Sequence, residues 1–165
     1  MPNERTQSPV ERDSDRSWLP AGFEAYTPAL KDACLDLFDA NCPASFAPNE
    51  RSDYAAFLDQ AGTSYFVKPQ GGRAAAAFGL KRGAGADSLR LNWIMVHPAV
   101  HSGGVGRAIM DAVIAFGRLA GATRIEIAAS HLSEPFFARF SAIAVGGTRN
   151  GWGPDMHRVD MEISL

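Results

Sequence analysis

The stretch from Leu89 to Ala120 constrains this chain most, because its apolar residues change period partway along it. They alternate first, as in a strand, and then recur every three or four residues, as along a helix. The segment LRLNWIMV, residues 89–96, predicts a strand with Leu89, Leu91, Trp93 and Met95 on one face. Ile94 and Val96 make its far end apolar on both faces, as in a buried strand. His97-Pro98 should end it, since proline cannot donate to a ladder. The glycine loop HSGGVG follows, His101 to Gly106. A helix comes next, with the stripe Val105, Ile109, Ala112, Val113, Phe116 and Ala120, stopped by Gly121.

The remaining chain must pack around this unit, and its composition allows that. A length of 165 residues with 46% apolar content suits one domain with its own core. The formal net charge of −2 argues against a large polyanion such as DNA as partner. Arg73, Lys81 and Arg82 flank turns and read as a solvated edge. No apolar run is long enough to span a membrane, and the N-terminus has no apolar signal core. Cys34 and Cys42 form no metal motif with the four histidines. They read as free thiols in a reducing cytosol, which places the protein in the cytoplasm; a disulfide between them is the alternative.

In chain order, MPNERTQSPVERDSDRS is too polar to bury apolar surface. Residues 1–20 are therefore expected to be a flexible N-terminal tail and 21–165 the domain, with Trp18-Leu19 anchoring the junction. A short strand is expected at 23–27. A helix starts near Pro28 with Leu30, Cys34, Leu37 and Phe38 on one side, and Asn41-Cys42-Pro43 breaks it. After a loop carrying Phe46, a second helix covers roughly 50–60 with Tyr54, Phe57 and Leu58 inward, closed by Gly62. SYFVK and RAAAAFGLK, 64–68 and 73–81, form a hairpin about Gly71-Gly72. Beyond the central helix, TRIEIAA (123–129) is a strand, and a strand–helix–strand of this length implies a parallel right-handed crossover. Ser133 caps a short helix with Phe136, Phe137 and Phe140. Residues 144–149 are a strand, Asn150-Gly151 a turn, and 156–165 the last strand.

Three glycines where a strand turns into a helix let backbone approach a ligand and leave the first helical N–H groups free, an arrangement suited to phosphate. A P-loop is excluded because Arg107-Ala108 stands where Lys and Ser/Thr are required. A dinucleotide fingerprint fails at Ile109, which occupies the third glycine place. A plain glycine-rich turn is the bland reading. VHPAVHSGGVGRAIM, residues 96–110, resembles the acetyl-coenzyme A loop of the GCN5-related N-acetyltransferases (GNAT), with His101, Gly104 and Gly106 in the places of Gln/Arg, Gly and Gly/Ala. The predicted element order is also that family's order. The resemblance implies an α+β fold in α/β/α layers. Its central sheet is mixed and mostly antiparallel, with about seven strands, a splayed parallel pair and about four helices.

The resemblance further implies an acyltransferase that moves acetyl from acetyl-coenzyme A to a primary amine of a small-molecule acceptor. The cofactor would lie along the backbone of Ile94, Met95 and Val96. Its pyrophosphate would sit on His101, Ser102, Gly103, Gly104, Val105, Gly106 and Arg107. The family's Asn and, seven residues on, its Tyr correspond to Ser130 and Phe137 here. Both are expected at the cofactor, but Phe137 has no proton to give a leaving thiolate. No carboxylate stands on the central strand, where Arg90 and Asn92 occupy the region. Catalytic candidates are therefore His131, Asp155 and Ser130, and Phe46, Tyr54, Trp93 and Trp152 are candidate walls of the acceptor pocket. No metal, nucleic acid or membrane is implied, and a homodimer stays open. The rival functions are a coenzyme A-binding module with weak or no catalysis and a nucleotide-binding α/β domain.

Overall fold

In the computed structural model, which describes residues 15–165, Gly71 and Gly72 take φ of 58° and 79° and turn the chain tightly. The strands on either side, β2 (Tyr65–Gln70) and β3 (Arg73–Arg82), therefore pair antiparallel. Their hairpin settles the alanine run as strand: Ala74, Ala75, Ala76 and Ala77 are all buried, as small residues must be where both faces of a sheet are covered. Ahead of the hairpin come β1 (Glu24–Ala25), a 3-10 turn (Pro28–Leu30), α1 (Lys31–Ala40) and α2 (Glu50–Gln60). After it come β4 (Ser88–Val96), a second 3-10 turn (Pro98–Gly103), α3 (Val105–Leu119), β5 (Arg124–Ser130), α4 (Glu134–Ala138), β6 (Ile143–Gly153) and β7 (Met156–Ser164).

The strands form one sheet in the order β1-β2-β3-β4-β5-β7-β6, antiparallel throughout except for the parallel pair β4–β5. Its two faces carry two apolar clusters. Ile109, Met110, Val113 and Phe116 of α3 join Phe137 of α4 on one face. Cys34, Leu37 and Phe38 of α1 join Tyr54 and Leu58 of α2 on the other. Each such side chain, fully buried, contributes about 1.5–3 kcal/mol, so the two helical layers hold the sheet between them. This is the expected α/β/α arrangement, with four α-helices and two 3-10 turns. Trp18 and Leu19 pack on the first cluster as anticipated. Trp18 lies against Phe66 and Phe116, with ring centroids 5.4 and 4.6 Å away. Most of the tail expectation concerns residues 1–14, outside the described residues. Of its last residues, Arg16 donates to the Thr63 carbonyl at 3.2 Å and stands 5.2 Å over the Phe66 ring.

Four local expectations need correction. Leu89, Leu91, Trp93 and Met95 do not share a face. Ala77 pairs with Met95 and Gly79 with Asn92, so Phe78 opposes both Trp93 and Ile94 in a β-bulge, with Trp93 at φ 46°. The extra residue reverses the alternation. Leu89, Leu91, Ile94 and Val96 join the α3 cluster, while Trp93 and Met95 join the α1–α2 cluster. Second, Asn150-Gly151 lies within β6, and the chain turns between Gly153 and Met156, with Asp155 at φ 58°. Third, Ser133 begins α4 without capping it; its hydroxyl instead accepts the Ser130 N–H at 3.0 Å. Fourth, α2 ends through Ala61 in an extended conformation rather than on a left-handed Gly62.

Candidate active-site cleft

The parallel pairing of β4 and β5 runs from Ser88–Arg124 to Leu91–Ile127 and stops. Beyond that point β4 follows β3 to Val96, while β5 follows β7 to Ser130. Two strands that each keep their outer partner but lose one another must open a wedge. The backbone groups on its two edges have no ladder to fill. The wedge is the floor of a cleft of about 530 Å³, lined by residues from both faces of the sheet.

At one end the β4–α3 connection leaves helical N–H groups facing open space. The His97 ring accepts the Ala99 N–H at 3.1 Å and starts the 3-10 turn. His101 Nε2–H donates to the Val96 carbonyl at 2.7 Å, tying the turn to the strand end. Gly104, at φ 77°, reverses the backbone into α3 in a conformation a side chain resists. The first helical bond is Ala108 N–H to the Gly104 carbonyl, so the N–H groups of Val105, Gly106 and Arg107 are left over at the positive end of the helix dipole. A Cβ on Gly106 would lie 3.2 Å from the Phe136 ring, so helix and aromatic approach as closely as glycine permits. Ser102 and the Arg107 side chain face solvent, the latter 3.6 Å from Asp111.

Midway along, Ile94, Met95 and Val96 form one wall, with Ser130 and Phe137 opposite. Phe137 is buried, its ring edge-on to Phe136 at 5.1 Å. The Ser130 hydroxyl lies 3.1 Å from that of Ser133. Past the bulge the cleft enters the α1–α2 side, where Phe46 stacks on Trp93 at 6.0 Å and 19°, and Phe57 lies 6.0 Å from the same indole. Tyr54 packs behind Trp93 at 4.9 Å and does not line the cleft. Trp152 closes this half from β6: its indole N–H donates to the Ala129 carbonyl at 2.9 Å, and its own carbonyl accepts the Asn49 amide at 2.7 Å.

One carboxylate lines the cleft, and it is none of the sequence candidates. Glu50, at the start of α2, is buried yet reaches the cleft wall. Burial pushes its carboxyl up from 4.5 to about 7, opposed by the Ala47 N–H that Oε2 accepts at 2.7 Å and aided by the charge of Asp53. Asn92 Oδ1, on the same wall, is buried without a hydrogen-bond partner. His131 and Asp155 are not among the lining residues. His131 Nδ1 accepts the His157 N–H at 3.1 Å, and its ring packs on that of His157 at 4.7 Å, across β7. Asp155 is exposed in the β6–β7 turn, where its N–H donates to Asn150 Oδ1 at 3.0 Å. Sequence reasoning passed over Glu50 because an acid in a first helical turn is ordinary there. The loop Asn41–Asn49 that buries it has no period to read.

Comparison with known proteins places this architecture. The sequence pattern described as the acetyltransferase (GNAT) family matches residues 31–141. No curated protein matches the chain. Solved structures of similar fold include Ard1 from Thermoplasma volcanium, at 12% identity over 87% of this chain and 96% of that one, with a TM-score of 0.70. The ribosomal-protein-S18-alanine N-acetyltransferase from Escherichia coli matches at 17% identity over 87% and 92%, with a TM-score of 0.65. An aminoglycoside 6'-N-acetyltransferase complexed with coenzyme A matches at 12% identity over 86% and 96%, with a TM-score of 0.64.

Proposed function

We propose, from the premise that the chain belongs to the GNAT acetyltransferase family, that it transfers an acetyl group from acetyl-coenzyme A to a primary amine of a small-molecule acceptor. The observation that carries this reading is the wedge between β4 and β5, which joins the open start of α3 to an aromatic-lined pocket through the sheet. The donor set fits coenzyme A. The leftover N–H groups of Val105, Gly106 and Arg107 would hold the pyrophosphate, and a Cβ on Gly103 or Gly104 would meet nothing within 4 Å, so that side is open. His101 holds the loop through Val96 rather than through a phosphate, and Ser102 stands at its exposed rim. The free edges of Ile94, Met95 and Val96 would take the pantetheine arm as a strand takes a neighbour.

Coenzyme A supplies the activated acyl thioester. The chain must hold it, exclude water and manage protons. Phe137 and Phe136 keep the middle of the cleft dry but carry no proton. Ser130 is the hydroxyl on that wall, and we assign it to positioning through Ser133. His131 and Asp155 lie off the lining, so neither is proposed to touch the acceptor. Free thiols at Cys34 and Cys42 accord with a cytoplasmic protein. The similarly folded transferases named above differ in acceptor, so the fold does not choose one. A second reading, a coenzyme A-binding module with weak or no catalysis, is favoured by Phe137 in the place of the family's tyrosine.

Turnover of acetyl-coenzyme A over a panel of primary amines separates the two readings, with acetylation of at least one amine expected. Coenzyme A binding is read independently. At a hundredfold excess over Kd it should stabilise the parent by about 2.7 kcal/mol. Gly104→Val should cost about 1–2 kcal/mol from its left-handed backbone and remove that ligand gain. A mutant that retains the full gain would refute the loop assignment. Coenzyme A stabilisation without any acetylation would leave the binding module standing.

A further inference from the structure

The acceptor half of the cleft has a chemistry of its own. Its apolar surface is flat and aromatic, supplied by Phe46, Phe57, Trp93 and Trp152. Glu50 Oε2 is held by Ala47, but Oε1 takes no hydrogen bond among the described residues and is not fully buried, so it is reachable from the cleft. A carboxylate oxygen without a donor in a largely buried wall calls for a ligand that brings N–H groups and positive charge. Of the cations on the lining, Arg90 is paired with Glu126 at 3.2 Å, Arg139 stands 5.2 Å over the Phe136 ring on the α4 side, and Lys81 is exposed near the end of β3 without an ion pair among the described residues. Glu50 is the one acid among the lining residues.

We propose, resting on the transferase reading above, that Glu50 seats the acceptor's ammonium and receives its proton, and that the acceptor is a primary amine on an aromatic body. A ring fits between Trp93 and Trp152 as aromatic side chains fit one another, and an ammonium beside those faces also gains cation–π attraction. In the reaction Glu50 takes one proton from the ammonium and the neutral nitrogen attacks the thioester carbonyl. The C–N bond forms and the C–S bond breaks, and sulfur leaves with the bonding pair and takes the second nitrogen proton. Glu50 returns its proton to solvent, so one proton is released per turnover. The groups that bear on its titration are Asp53 on α2, Cys42 on the preceding loop, and His101, Lys81, Arg90 and Arg139 around the cleft.

Binding of 2-phenylethylamine to the full chain, read by quenching of Trp93 and Trp152, tests this without turnover. Affinity should tighten about tenfold from pH 6 to pH 8, as the ionised share of a carboxyl titrating at about 7 rises from roughly a tenth to roughly nine-tenths. Glu50→Gln keeps an oxygen for the Ala47 N–H and should therefore fold, which its coenzyme A stabilisation checks. It should bind the amine about tenfold more weakly at pH 8, with the pH dependence gone, and lower kcat by about 10²–10⁴. Spermidine, with charge but no ring, should bind about tenfold or more weakly than 2-phenylethylamine. Parent-like binding by Glu50→Gln, or equal binding of spermidine, overturns the proposal while leaving the transferase reading intact. Selective, Glu50-dependent binding with no acetylation of any amine overturns the transferase reading, and Glu50's proton-accepting role with it, but not the ammonium seat.

Discussion

Glu50 begins a helix, where a carboxylate is usually stabilised, yet the loop before it closes over the side chain and removes the water that would solvate its charge. The cost has a sign that can be measured. A carboxyl raised from 4.5 to about 7 on folding favours the native state below pH 4.5, and that advantage is lost as pH rises through 7. At 1.36 kcal/mol per pH unit the loss is worth about 3 kcal/mol. Glu50→Gln should therefore match the parent in urea denaturation near pH 4.5 and exceed it by about 1–3 kcal/mol at pH 8. Equal stability at pH 8 would mean the carboxylate is solvated and the residue poorly suited as a base. Glu126 behaves oppositely. Burial alone would raise it, but the Ala84 N–H, the Ser88 hydroxyl and Arg90 hold it down at about 2. Its stabilisation is present above pH 4.5 and lost as pH falls toward 2, so the two carboxyls act in separate pH windows. Enzymes commonly keep one destabilised acid where chemistry needs it.

The bulge in β4 is the element on which the cleft depends. It places Trp93 on the α1–α2 side and returns Ile94 and Val96 to the α3 side, so one strand lines both halves of the cleft. Left-handed backbone at a bulky residue costs about 1–3 kcal/mol and persists only where neighbours impose it. Here the Tyr65 hydroxyl donates to the Trp93 carbonyl at 3.0 Å, and its oxygen lies 2.7 Å from that of Tyr54. Both phenols are buried, which pushes their titration far above the ordinary range, so they stay protonated as donors. Tyr65→Phe should leave the Trp93 carbonyl without its donor and cost about 1–3 kcal/mol by denaturation. A loss under about 0.5 kcal/mol would mean the bulge is held by packing alone.

At the scale of the molecule, two segments distant in sequence meet on the α1–α2 half of the cleft. The loop after α1 and the end of β6 meet where the Asn49 amide donates to the Trp152 carbonyl. Trp152 is held further by its bond to Ala129 and by Arg158, 5.2 Å over its ring. Coenzyme A would lie along the free edge of Ile94, Met95 and Val96 and at the start of α3, so the contact should bear on the other substrate only. Asn49→Ala is expected to raise the acceptor KM several-fold, to cost about 0.5–1.5 kcal/mol of stability, and to leave the coenzyme A-induced shift in Tm unchanged. An equal loss of coenzyme A affinity would show that the two halves are coupled through the sheet.

What the sequence determined by itself was local and periodic. The alternation of Leu89 and Leu91, the three-and-four spacing from Val105 to Phe116, the glycines at 103, 104 and 106, and the hairpin at Gly71-Gly72 each express a rule that acts within a few residues. Together they were enough for the element order, the parallel crossover and the glycine turn that opens α3. The bulge escaped, because an extra residue in a strand shows only when the partner's register is known; the alternation through Trp93 and Met95 reads unbroken in the text and reverses in space. The turn before β7 was misplaced for a related reason: Asn150 does take a left-handed φ of 53°, but within a register break of β6 between the Thr148–Arg158 and Gly153–Met156 pairs, so the reversal itself comes later. Tertiary structure alone decided which acid lost its water. Desolvation of Glu50 depends on how the loop before α2 folds back over the helix start, where Ala47 N–H meets Oε2, and burial of charge is a property of the whole surroundings rather than of the residue.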